Sequence, residues 1–192
     1  MATHPHLHAS ALPFPKLKRA VWLAMASMTM FFLALTYAYL QRHGLASGWM
    51  SPRLAEILSA NTCLLLASSI ALHRGRQFLA GRGLDGAVRW TAAALGLGVA
   101  FLLGQAEAWR VLWQAGVYLA QNPNSGFFYL VTAAHAAHLA VALGLMVWVL
   151  MRLWRGRLPP DRPLLMDVTA IFWHCLDITW IYVFAVLLVY RG

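Results

Sequence analysis

Charge is what this chain has least of. Only 11% of its 192 residues are charged, whereas a soluble domain carries about 25%. Acidic residues are scarcest, six against fifteen Lys and Arg. So few charges exclude a water-facing surface for most of the chain. Cysteine is almost missing too. Cys63 and Cys175 both lie inside apolar runs, where free Cys behaves as a small hydrophobe, and no paired-Cys metal spacing exists. What fills the chain instead is apolar: 61% of it is hydrophobic. Lipid is therefore the solvent the composition calls for. The formal net charge of +9 is no signature of nucleic acid, because the basic residues sit between apolar runs rather than along one exposed face.

A membrane-spanning helix needs roughly 20 mainly apolar residues. Five such spans are expected, at about 20–40, 54–72, 90–112, 127–151 and 167–190, with a tail over 1–19 and one transmembrane domain over 20–192. The connecting segments are short and hold the turn formers, as in "RGLDG" at 82–86 and "RGRLPPDRP" at 155–163. The first apolar run follows Lys16, Lys18 and Arg19 and imitates a signal peptide. It is read as an uncleaved span, because it is longer than a signal core and ends in bulky "YAYLQRH".

Orientation follows from Lys and Arg, which gather on the cytoplasmic side. One side holds Lys16, Lys18, Arg19, Arg74, Arg76, Arg82, Arg89, Arg152, Arg155, Arg157 and Arg162; the other holds Arg42, Arg53, Arg110 and Arg191. The expectation is an all-α bundle of five transmembrane helices with a cytoplasmic N-terminus and a periplasmic C-terminus. The excess charge then serves topology and favours anionic lipid head groups. Trp49, Trp90, Trp109, Trp113, Trp148 and Trp154 fall near span ends, where indole rings prefer the interface. Small residues let membrane helices approach. Gly96, Ala100 and Gly104 form one such stripe and Ala136, Ala140 and Gly144 another, each open to a neighbouring helix or to another subunit.

Polar side chains inside these runs are costly and need partners. "FFYLVTAAHAAHLA" places His135 and His138 in the fourth span, and "FWHCLDITW" places His174 and Asp177 in the fifth. Each pair is spaced i, i+3 and shares a helix face. At 1.5 Å per residue, His135 and His138 lie roughly 12 and 16 Å deep, and His174 and Asp177 roughly 10 and 15 Å from the opposite side. His138 is thus the expected partner of Asp177, with both faces meeting inside the bundle. Three readings of the cluster compete: bracing of helices, a proton or water path, and a metal or haem site. The spacing lacks the dense histidine boxes of membrane oxygenases and any complete first-row metal shell. Bracing is the reading adopted. Glu107 lies near the outer end of span three and is expected to reach water. Glu56 and Asn61 open span two, with Asn61 bonding across helices.

Several ordered motifs share one resemblance. "GQAEAW" (104–109), "GFFYLVTAAHAAHLA" (126–140) and "FWHCLDITWIYVFAVLLVY" (172–190) resemble subunit III of the haem-copper cytochrome oxidases. That family reads GQ…EW, then FY-LTG-HG-HV, then YWHFVD-VW-FLF. "NTCLLLASSIAL" (61–72) is similar to its NT-LLL-SS segment, and "MASMTMFFLALTYAYLQR" (25–42) to its first shared helix. The resemblance runs from about residue 20 to 190 and matches the five-helix bacterial members.

The resemblance implies a non-catalytic subunit of a proton-pumping terminal oxidase in the bacterial inner membrane. Haem and copper belong to the partner subunit I, and this chain carries no cofactor of its own. Partners are subunit I, the other oxidase subunits and membrane lipids, with bound phospholipid expected. By the same resemblance, His135, His138, His174 and Asp177 are internal polar positions that brace helices. Asn61, Gln105, Glu107, Trp109 and Met28 are family-motif positions. Two departures stand out. Many members carry Glu where Met28 stands, and Glu107 sits one place before the family position, with Ala108 preceding Trp109. A close variant of the reading is the subunit-III-like protein that accompanies nitric oxide reductases. Further alternatives are an independent metal-dependent membrane enzyme and a transporter half, the latter without the expected repeats. The tail "THPHLH" offers His4, His6 and His8 as a candidate proton antenna, since imidazole titrates near neutrality, with a reference pKa of about 6.5.

Overall fold

The computed structural model describes residues 14–42, 51–81, 83–116, 123–158 and 164–189. They form five α-helices: α1 (Phe14–Arg42), α2 (Pro52–Ala80), α3 (Leu84–Gln114), α4 (Pro123–Trp154) and α5 (Leu164–Val189). Each contains a stretch long and apolar enough to cross a membrane. The five expected spans are therefore five helices.

The helices outrun their apolar stretches. α2 has 29 residues, a rise of roughly 43 Å, against a hydrocarbon core about 30 Å thick. Beyond Leu72 it continues through His73, Arg74, Arg76 and Gln77, all exposed. Loss of apolarity does not end a helix; capping and turn residues do. At its start, Ser51 accepts the Leu54 N–H through its hydroxyl at 3.2 Å, and Pro52 occupies the first turn. At its end, the Gly81 N–H bonds the Gln77 carbonyl at 3.1 Å. α4 closes in a Schellman turn. Gly156 sits at φ 60°, its N–H donates to Leu153 O at 3.0 Å, and Arg157 N–H donates to Arg152 O at 2.9 Å. α1 begins at Phe14 and runs unbroken into the first apolar span.

α2, α3, α4 and α5 pack in a ring, each against the next and α5 back against α2, while α1 packs against α4 and α5. Trp173, Trp180, Phe101, Phe128 and Phe32 are fully buried at the centre. α1 keeps Trp22, Leu23, Met30 and Tyr37 exposed, as suits a helix with one side on protein and the rest in lipid.

Close approach is set by glycine, and of the anticipated stripes' glycines only Gly104 takes part. A Cβ at Gly98 would lie 2.6 Å from Trp173 Cη2 and 2.8 Å from Leu143 Cδ2. Gly104 leaves room for the Asn61 amide, and a Cβ at Gly75 would lie 2.9 Å from Thr91 Oγ1. Gly96 and Gly144 instead face open space, and Ala140 is exposed. The spacing of four was read correctly as a helix face; which face meets protein was not in the spacing.

α2 carries two adjacent stripes of period seven. Asn61, Ser68 and Gly75 turn to α3. Asn61 Nδ2 donates to Phe101 O at 3.5 Å, Ser68 Oγ donates to Ala94 O at 2.8 Å, and Gly75 abuts Thr91. One residue on, Thr62, Ser69 and Arg76 turn to α5. Thr62 accepts Trp180 Nε1–H at 3.1 Å, Ser69 Oγ meets His174 Nδ1 at 2.6 Å, and Arg76 Nε donates to Asp167 Oδ1 at 2.7 Å. A repeat of seven keeps a seam facing its partner along a gently supercoiled pair. In lipid, where burial of apolar surface does not drive helices together, such bonds and close contacts hold them.

Candidate functional site

The polar residues expected to form one cluster occupy two distinct settings. The first lies on α5 against α2. His174 and Asp177, one turn apart, share a face; His174 Nδ1 is 2.6 Å from Ser69 Oγ and 3.7 Å from Asp177 Oδ2. Asp177 is 4% exposed, and neither of its oxygens has a hydrogen-bond partner among the described residues. A buried carboxylate is costly unless compensated, so the adjacent imidazole and hydroxyl are its local polar company. His174 is less buried, with its side chain 38% exposed.

The second setting is aromatic. His135 is fully buried. Its ring centroid lies 5.0 Å from Trp180, 5.9 Å from Phe101 and 6.3 Å from Phe32, so α1, α3 and α5 all contribute to the box. Its ring nitrogens have no hydrogen-bond partner among the described residues. His138 also packs near Phe32, at 5.9 Å, but its Nδ1 bonds its own helix at Ala134 O, 2.7 Å away. Asp177 thus turns to His174 on its own helix, not to His138 across the bundle. Equal depth brought those two to one level; the rotation of α4 and α5 about their axes directs the side chains elsewhere.

The remaining motif positions have varied surroundings. Met28 is buried in the core one turn before Phe32. Gln105 is 1% exposed, with its amide unpartnered among the described residues. Glu107 pairs with Arg110 at 3.6 Å, both partly exposed. Trp109 donates through Nε1 to Thr132 Oγ1 at 3.0 Å, while Thr132 donates to Phe128 O at 2.6 Å. Thr62 works identically, donating to Leu58 O at 2.8 Å and accepting from Trp180. In both, a threonine satisfies its own helix and offers an oxygen to an indole of the next. Trp109 is thus an interhelical donor, whereas Trp154 is 84% exposed. His4, His6, His8 and Trp49 lie outside the described residues.

Sequence reading singled out the histidines but missed Ser69, Thr62 and Thr132, the hydroxyls that meet them or their tryptophans. The signal was there: Thr62, Ser69 and Arg76 recur every seven residues on α2. Among the described residues, no three His, Cys, Asp or Glu side chains come together as a metal-binding group. The arrangement can pair buried dipoles and fix helix register.

The architecture defines a multi-pass membrane protein in which some intramembrane polar side chains, Asn61, Ser68, Ser69, Trp109 and Trp180 among them, bond across helices. The family described as "Cytochrome c oxidase subunit III" matches residues 6–191. The chain is 31% identical over 172 residues to "Probable cytochrome c oxidase subunit 3" of Mycobacterium tuberculosis, covering 87% of this chain and 83% of that protein. It is 28% identical to "Cytochrome c oxidase subunit 3" of Thermostichus vulcanus over 171 residues, 85% of this chain and 82% of that one. "Quinol oxidase subunit 3" of Bacillus spizizenii is 26% identical over 171 residues, 85% of this chain and 81% of that one. The chain belongs to the cytochrome c oxidase subunit III family. It is accordingly a respiratory-chain, transmembrane component of an oxidase with several subunits.

Proposed function

We propose that this chain is the non-catalytic subunit III of a haem-copper terminal oxidase that passes electrons from cytochrome c to oxygen and pumps protons. It flanks subunit I, which holds the haems and copper, and supports that subunit's stability and proton uptake. The observation that carries this reading is the family match across residues 6–191. The geometry agrees with a supporting role: His174 and Asp177 pair locally, His138 bonds its own helix, and Trp109 and Trp180 bond threonines on neighbouring helices. Met28 stands where many members carry Glu, so this chain offers no carboxylate there.

The N-terminus lies in the cytoplasm and the C-terminus in the periplasm, by the distribution of Lys and Arg, and the membrane is the bacterial inner membrane. Phospholipid binds the exposed apolar faces. The tail residues His4, His6 and His8 collect protons for uptake. The test compares the oxidase purified with and without this chain, following oxygen consumption through many turnovers. Retained initial activity followed by faster inactivation without the chain supports the role. Unchanged lifetime and proton uptake contradict it. Replacing His4, His6 and His8 by Ala is expected to slow proton uptake at alkaline pH; an unchanged rate removes the antenna.

A further inference from the structure

α1 and α5 do not close fully against each other. Between them lies a cleft of about 500 Å³ lined by Met25, Phe32, Ile171, His174, Ile178 and Tyr182. That size falls in the range of small-molecule sites, roughly 300–1,000 Å³. Its walls are almost wholly apolar, and Ile178 is 68% exposed at its mouth, so it opens sideways toward lipid. Thr29 and Thr179 also line it, but their hydroxyls donate to Met25 O and Cys175 O, both at 2.9 Å. His174 differs. Ser69 holds its Nδ1, and Asp177 stands behind the same nitrogen. Nε2 has no partner among the described residues and is the ring nitrogen left for a ligand.

We propose that this cleft binds an isoprenoid quinone or quinol, its ring in the apolar walls and one oxygen hydrogen-bonded to His174 Nε2. Two features select that chemistry. The first is depth. His174 lies seven residues beyond Asp167, roughly 10 Å deeper, on a helix of 26 residues. A phospholipid keeps its phosphate at the interface and brings only an acyl chain to this level, which has no use for an imidazole. A quinone carries a compact polar head on an apolar tail and resides within the hydrocarbon. The second is the imidazole itself. A neutral ring donates from one nitrogen and accepts at the other. Nε2 therefore meets a quinone carbonyl as donor or a quinol hydroxyl as acceptor, with the Ser69 hydroxyl adjusting at Nδ1. The proposal concerns binding alone and does not depend on the supporting role above.

The test uses the full chain, purified in mild detergent with whatever subunits accompany it. The probe is an azido-naphthoquinone bearing a short isoprenoid tail, photolysed and mapped by peptide mass spectrometry. Labelling is expected on the cleft-lining residues of α1 and α5, displaced by excess unlabelled menaquinone and not by dioleoyl phosphatidylglycerol. His174→Phe should reduce it about fivefold, the effect of one lost hydrogen bond. Ile178→Trp, at an exposed position that leaves the Ser69–His174–Asp177 group intact, should reduce it by obstructing the mouth. Labelling that falls elsewhere, that ignores Ile178→Trp, or that phosphatidylglycerol displaces equally well overturns the proposal; the last outcome marks an acyl-chain groove.

Discussion

Gly98 offers the sharpest test of how this bundle is packed. It lies mid-helix on α3 and faces α4 and α5. A methyl group there would come within 2.6 Å of the Trp173 ring and 2.8 Å of a Leu143 methyl. Trp173 is fully buried and cannot swing aside without disturbing its neighbours. Overpacking of this kind costs about 1–3 kcal/mol. Opposing it, Gly→Ala within a helix recovers about 1 kcal/mol of backbone propensity. The two are separated by a control two residues away. Gly96 is on the same helix, and a Cβ there meets nothing within 4 Å. Gly96→Ala gains the propensity alone, so the difference between the variants isolates the packing cost at about 1–3 kcal/mol. Reversible unfolding in mixed micelles, followed by far-ultraviolet circular dichroism, measures both. The reasoning fails if Gly98→Ala is as stable as Gly96→Ala within about 0.5 kcal/mol, the usual spread of a neutral surface change.

Further expectations follow from the two α2 seams. A double-mutant cycle on Ser69→Ala and His174→Phe should give a coupling of about 0.6 kcal/mol, and at most about 1.7 kcal/mol, typical of bonds between membrane helices. A coupling of zero by the same unfolding assay would remove the seam's energetic role. Trp180→Phe should lower stability and Thr62→Ala should add little to that loss, because the indole bond to Thr62 is already gone; additive losses contradict this. The Arg76–Asp167 pair is partly exposed, at 48% and 22%, so Asp167→Asn should cost no more than about 1 kcal/mol and its effect should shrink at high salt.

The number and rough position of the helices were legible because a span announces itself by continuous apolarity, which needs no knowledge of partners. Their ends were less so. His73, Arg74 and Arg76 end the apolar run of α2, yet the helix passes through them to Gly81. Depth also came from counting residues, and it put His138 and Asp177 at one level. What counting does not supply is rotation about the helix axis. His138 consequently bonds Ala134 O, and Asp177 faces His174. Small-residue spacing behaved alike: Gly104 meets Asn61 while Gly96, two turns away, meets nothing. The period-seven stripes of α2 carried the missing rotation, since residues repeating every seven positions must share one partner. Thr62, Ser69 and Arg76 looked unremarkable singly, and only their common spacing tied them to Trp180, His174 and Asp167.

The central claim is that this chain's inward polar side chains hold a bundle together beside a redox-active partner. The most direct measurement is purification through an affinity tag on this chain in mild detergent, followed by separation of the subunits and metal analysis of each. The account predicts a haem spectrum in the intact preparation, with haem iron and copper leaving on a larger companion and none retained by this chain. A colourless, stable preparation of the chain alone, with iron, copper or zinc bound at His135, His138, His174 or Asp177, would contradict it.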